Sequence, residues 1–170
     1  MVFTGTHRRL MAWAIVEHRM TSRKQKPASG GTYILLLELS SLITIEIGRI
    51  GERTFEAGCY AYVGSALGPG GLAARLHRYT SGPRNNHWHI DYLLEHARVI
   101  GALFRADDDR RECNWARWVG EWTPRRIPRF GSSDCRCESH LFFVGNRKKT
   151  EEMAQAAGCE LKATITIGGR

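Results

Sequence analysis

The chain has 170 residues, 42% of them hydrophobic and 25% charged. That is enough for one packed core of ordinary domain size plus extra chain at the ends, and it excludes a fibrous or disordered polymer. The formal net charge is +8, and more than half of the excess lies in residues 1–29, where Arg8, Arg9, Arg19, Arg23, Lys24 and Lys26 face only Glu17. A nearly balanced domain with a basic arm is therefore expected, the arm being either solvated or in contact with a polyanion. Most of the positive charge is arginine, whose planar fork suits phosphate.

Residues 1–29 read as a basic arm without fixed structure, and Met11 and Met20 offer other translation starts. Its apolar run, Leu10 to Val16, is too short to span a bilayer and has no cleavage pattern after it. The cysteine count of 5 is odd in a chain large enough for its own core. This disfavours a disulfide framework and favours a reducing cytoplasm. Order is expected from residue 30. Thr32–Leu39 is a β-rich run and Leu42–Ile47 alternates after Ser40-Ser41, so the two read as a hairpin, followed by a short strand Cys59–Val63.

From Gly71 the period becomes helical: Leu72, Leu76 and Tyr79 share a face, closed by the Ser81-Gly82-Pro83 breaker. A second helix is predicted from His89 to Ala97 and a strand from Val99 to Arg105. A third helix should start after the acidic run Asp107–Asp109 and end at Trp122, before Pro124. His140–Val144 reads as a last strand, and Glu151–Arg170 fits either helix plus strand or a loose tail. The fold class is α/β or α+β, a small mixed sheet carrying helices, in a domain spanning 30–145 with a C-terminal extension over 146–170.

Several side chains stand out against this frame. Strand alternation puts Tyr33 on one side with Leu35, Leu37 and Leu39, and Tyr60 on one side with Tyr62; such tyrosines commonly just pack. Arg75 lies on the helix stripe that faces the sheet, where a guanidinium must snorkel or find an anion. Glu112 lies on the inward stripe of the third helix with Trp115, Ala116 and Val119. Either a hard cation such as Mg²⁺ or an ion pair with Arg75 would account for it. His87, His89, Asp91, Cys135, Cys137 and His140 invite a zinc reading, but a single residue between the cysteines departs from the usual spacing, so zinc is disfavoured. Asp91 also suits a helix cap, and His140 a hydrogen-bonded core histidine.

Taken together, Gly31-Thr32-Tyr33, Tyr62-Val63-Gly64, an arginine in the next helix and a glutamate in a later one resemble the GIY-YIG nuclease superfamily. The blocks Gly58–Ala66, Gly70–Leu76, His87–Leu94, Glu112-Cys113 and Phe130–Phe142 resemble the branch catalogued as domain of unknown function 123. The resemblance covers residues 31–145. It implies a small three-stranded sheet flanked by helices, with Leu42–Ile47 as an inserted strand, and an endonuclease that hydrolyses DNA phosphodiester bonds with Mg²⁺ or Mn²⁺, acting in DNA repair or processing. Tyr33, Tyr62, Arg75 and Glu112 would be catalytic, with Glu112 holding the metal. Gly64, Ser65, His89 and Asp91 would contact substrate. The alternative is a non-catalytic nucleic-acid-binding module of the same fold, and a further one is a zinc-stabilised interaction domain.

Overall fold

The protein is described by a computed structural model over residues 30–81, 86–157 and 163–165. The basic arm at 1–29 and the Gly82-Pro83 breaker lie outside the described residues. In chain order the elements are β1 (Gly31–Leu39), β2 (Ile43–Ile47), β3 (Gly51–Phe55), β4 (Gly58–Ser65), α1 (Gly71–Thr80), α2 (His89–Leu94), β5 (Arg98–Ala106), α3 (Glu112–Trp122), β6 (Leu141–Gly145), α4 (Arg147–Ala157) and β7 (Ala163–Ile165). The α+β class expected from the pattern is the class observed.

The main sheet has the order β6-β4-β1-β5-β7, and all four of its pairings are antiparallel. It is therefore larger than the three-stranded sheet expected, and it is not mixed. Periodicity marks single strands but not which of them share hydrogen bonds, and that gap also explains the misplaced hairpin. The apolar strand β1 lies between β4 and β5, with both edges occupied. β2 cannot pair with it and instead pairs with β3, from Ile43↔Phe55 to Ile47↔Gly51. The expected inserted strand is thus half of an inserted hairpin. Its inner residues Ile47 and Phe55 reach the core, while Thr44, Glu46, Glu52 and Thr54 stay exposed.

Alternation along β1 divides the interior in two. Tyr33, Leu35, Leu37 and Leu39, with Tyr60 and Tyr62 of β4, face α1, α2 and the hairpin. Ile34 and Leu36, with Ala61 and Val63, face Ala116 and Val119 of α3 and Met153 and Ala157 of α4. Of the two readings of the C-terminal stretch, helix plus strand is the one found over its described residues, 151–157 and 163–165, and there α4 and β7 join the domain instead of trailing from it. α2 ends earlier than expected, at Leu94, because the Leu93 carbonyl accepts both the His96 and Ala97 N–H groups, a turn that leads into β5.

The start of β1 and the ends of β4 and β5 meet at one end of the sheet, as the pairings Thr32↔Ser65 and Gly31↔Ala106 require. The chain leaves β5 there and enters α3, so the first residue of that helix, Glu112, is delivered to the same end as Tyr33 and Gly64.

Candidate active site

At that end of the sheet a cavity of about 320 Å³ is lined by Tyr33, Tyr62, Gly64, Ser65, Arg75, His89 and Glu112. Seven of the side chains or backbone positions singled out in the sequence are thus brought together, from β1, β4, α1, α2 and α3. A larger cavity of about 540 Å³ lies beside Cys113 and Cys137, and its walls mix Arg117, Arg126 and Arg136 with Glu121 and Glu138. It shares none of those seven residues.

The phenols are held differently. The Tyr33 and Tyr79 hydroxyls lie 2.5 Å apart and share a hydrogen bond. Tyr62 packs its ring on Phe130 and has no hydrogen-bond partner for its hydroxyl among the described residues. Burial pushes the Tyr33 phenol well above its ordinary pKa, with the Tyr79 and Tyr62 phenols adding to the effect. Burial also pushes Tyr62 well up, helped by Tyr79 and Glu112 and opposed by Arg75. Both phenols therefore carry their protons at neutral pH. Gly64 makes room for this arrangement, since a Cβ there would lie 2.3 Å from the Tyr33 hydroxyl oxygen.

Arg75 sits half-buried on α1, with its guanidinium carbon 4.1 Å from the centroid of the Trp88 ring. The ion pair with Glu112 that the sequence allowed is not formed. Glu112, with a side chain 28% exposed, meets His140 instead, Oε1 lying 3.1 Å from Nδ1. A carboxylate oxygen accepts, so His140 donates at Nδ1, and its Nε2 is the nitrogen turned toward Cys135. His140 is 1% exposed, the hydrogen-bonded core histidine that the sequence suggested.

His89 accepts the Gly131 N–H at Nδ1, 3.0 Å away. Burial, with Arg129 nearby, holds its pKa below the ordinary value. The ring is therefore neutral at pH 7, with its remaining proton on Nε2, a donor at the cavity wall. Gly131 adopts φ +71°, and a Cβ there would come within 2.9 Å of the Tyr62 ring.

Asp91 does not line the cavity, and the expectation that it contacts substrate is corrected. It is fully buried. Its carboxylate takes two hydrogen bonds from Arg78, at 2.7 and 2.8 Å, and accepts the N–H groups of His87 and Trp88 at 3.0 and 2.9 Å. With these four bonds its acceptor capacity is used on the protein, as the capping reading allowed. It fixes the segment that carries Trp88 and His89. Trp88 in turn lies under both guanidinia, Arg75 and Arg78, the latter 4.4 Å from the ring centroid.

His87, named in the sequence only for zinc, also lines the cavity, as do Tyr79, Trp88, Ser133 and Asp134, which were not singled out as site residues. Tyr79 read as core because it shares a helix stripe with Leu72, and the i, i+4 spacing from Arg75 is the signal that could have found it. Asp134 is carried by an irregular segment, where no periodicity reports direction. It gives the cavity a second carboxylate. Glu112 and Asp134 are the carboxylates on the cavity wall, the ligand type that a hard divalent cation takes together with water and phosphate oxygens.

Beside the cavity, Cys113, Cys135, Cys137 and His140 each place a ligand atom within 4.8 Å of the others. The His140 Nε2 lies 3.4 Å from the Cys135 sulfur.

Among the described residues no helix is long and apolar enough to cross a membrane. No curated protein matches the chain, and no solved structure does. A family model described as "Domain of unknown function DUF123" matches residues 32–163, most of the chain and all the residues of the cavity, and the chain belongs to that family.

Proposed function

We propose that the cavity is the active site of a GIY-YIG-type endonuclease that hydrolyses DNA phosphodiester bonds with Mg²⁺ or Mn²⁺, in DNA repair or processing in the cytoplasm. The observation that carries this reading is the convergence of Tyr33, Tyr62, Arg75 and Glu112 on one cavity. The resemblance of the Gly31-Thr32-Tyr33 and Tyr62-Val63-Gly64 blocks to those nucleases supports it, as do the free thiols of Cys59, Cys113, Cys135 and Cys137 for the compartment.

Glu112 and Asp134 are the residues that would hold the cation, which when bound polarises the phosphate and stabilises the leaving oxygen. Arg75, steadied on Trp88, neutralises charge that develops on the non-bridging oxygens. His89 donates its Nε2–H to a phosphate oxygen, and the Ser65 hydroxyl is a further donor on the same wall. Tyr62, whose hydroxyl is open to the cavity, orients the attacking water. As a protonated phenol it acts first as a positioner, and Arg75 is the neighbouring group that favours the phenolate form a general base needs. Tyr33 holds its ring between Tyr62 and Tyr79, with centroids 6.5 and 5.8 Å away, and keeps the wall of the cavity in place. Asp91 is a positioning residue, acting through the backbone of residues 87 and 88.

Trp88 favours a nucleic-acid partner under either reading of the site. It is 37% exposed at the cavity wall and lies against the Arg75 guanidinium, so an aromatic surface and a phosphate-binding cation are offered at one place. Incubation with nicked, branched and abasic DNA, with Mg²⁺ and in Mg²⁺-free buffer, separates the readings. The nuclease gives a Mg²⁺-dependent product on at least one substrate. Binding without product would instead identify a non-catalytic DNA-binding module.

A further inference from the structure

The cluster beside the cavity is not used by the proposed hydrolysis, and its chemistry is different. We propose that Cys113, Cys135, Cys137 and His140 form a structural zinc site. Their ligand atoms all lie within 4.8 Å of one another. Tetrahedral zinc with Zn–S of about 2.3 Å and Zn–N of about 2.0–2.1 Å sets its ligands about 3.5–4 Å apart, so small side-chain adjustments close the site. Three sulfurs select a soft or borderline cation over magnesium or calcium. The three thiols lose their protons to solvent as the metal binds.

The spacing that argued against zinc concerns Cys135 and Cys137 alone, and it takes no account of Cys113, which the first turn of α3 brings to the same place. His140 stands just before β6, and its backbone is fixed by the Phe130 carbonyl and the Val63 N–H, at 2.8 Å each. Cross-linking these three parts of the chain gives the long segment between α3 and β6 a reason for its fixed course. That segment has little regular structure, yet it presents Gly131, Ser133 and Asp134 to the cavity.

The histidine joins the two sites. With Nδ1–H donated to Glu112, the Nε2 lone pair is left for the metal, the carboxylate–histidine–zinc arrangement in which the outer carboxylate fixes ring and tautomer. Here the restraint also runs outward: a zinc-bound His140 holds Glu112 at the cavity wall. The metal assignment stands without the nuclease reading, and only this last consequence rests on it.

Elemental analysis of the full chain, purified under reducing conditions, is expected to find one zinc per chain. X-ray absorption is expected to show three sulfurs at about 2.3 Å and one nitrogen. In the native protein Cys113, Cys135 and Cys137 should resist alkylation until a strong chelator is added. Cys135→Ser should lose the metal and Cys59→Ala should keep it. If Cys135→Ser fails to fold, the metal content and alkylation pattern of the unaltered chain decide. Zinc well below one per chain that refolding with Zn²⁺ does not raise would overturn the assignment. So would Cys113, Cys135 and Cys137 that alkylate equally fast before and after the chelator is added. Neither readout depends on DNA cleavage, so the zinc site and the nuclease can fail separately.

Discussion

The two tyrosine blocks place chemically alike side chains in unlike surroundings. Tyr33 spends its hydroxyl on Tyr79, whereas the Tyr62 hydroxyl is free to meet water or phosphate. Tyr62→Phe removes that group and little packing, and we expect it to lower Mg²⁺-dependent cleavage by roughly 10²-fold, the scale of a lost acid–base or orienting group, with thermal unfolding nearly unchanged. Cleavage at the original rate would take Tyr62 out of the reaction. Asp91 is the opposite case, a buried carboxylate whose work is structural. Burial alone would raise its pKa, but the Arg78 bonds and the N–H groups of Trp88 and His87 outweigh that and hold it below the ordinary value. A carboxyl depressed in the folded state stabilises it fully above about pH 4, and that contribution is lost as pH falls through the folded value. Asp91→Ala removes the acceptor of the Arg78, His87 and Trp88 hydrogen bonds and should cost about 1–3 kcal/mol in denaturant unfolding at pH 7. Asp91→Asn should flatten the stability profile below pH 4, and an unchanged acid limb would show that the carboxylate is not coupled to folding.

At the scale of elements, the strands and helices were largely legible, because β1 and β4 are short β-rich runs buried on both faces, α1 and α3 carry apolar stripes, and Pro124 breaks the chain after Trp122. Pairing was not legible. Leu42–Ile47 looks like the hairpin partner of β1 only until β5, sixty residues on, occupies that edge. The same limit hid the cysteine cluster, whose spacing is informative only once α3 is known to pass beside the 130–140 segment. Arg75 and Glu112 were found because a charged side chain on an apolar stripe is visible in the pattern itself, while Asp134 and Trp88 lie where no period applies. The role of α4 was also open in the sequence. It closes the second core, where Met153 is fully buried, so Met153→Ala should destabilise the fold by about 2–5 kcal/mol. A loss under about 0.5 kcal/mol would mean that α4 does not pack on the sheet in solution.

At the scale of the whole molecule, one sheet separates two tasks. One face builds the cavity from β1, β4, α1 and α2, and the other anchors α3 so that its first residue reaches round the sheet's end. The net charge of +8, concentrated in residues 1–29, suits a polyanionic substrate. Removing those residues should weaken DNA binding and reduce its dependence on salt, since each phosphate that the protein no longer neutralises lowers the salt slope by about one. The cleavage rate at saturating DNA should be preserved. An unchanged salt slope would mean that the arm does not touch DNA.

The claim at the centre is that Glu112 acts in the chemistry and not merely in binding or folding. Glu112→Gln keeps an acceptor for the His140 Nδ1–H and removes the charge that a cation needs, so cleavage and DNA affinity should part company. The measurement is single-turnover cleavage in Mg²⁺ alongside equilibrium binding of the same DNA. A rate lower by roughly 10²-fold with affinity nearly unchanged is the predicted result. Cleavage by Glu112→Gln at the rate of the unaltered chain would contradict it.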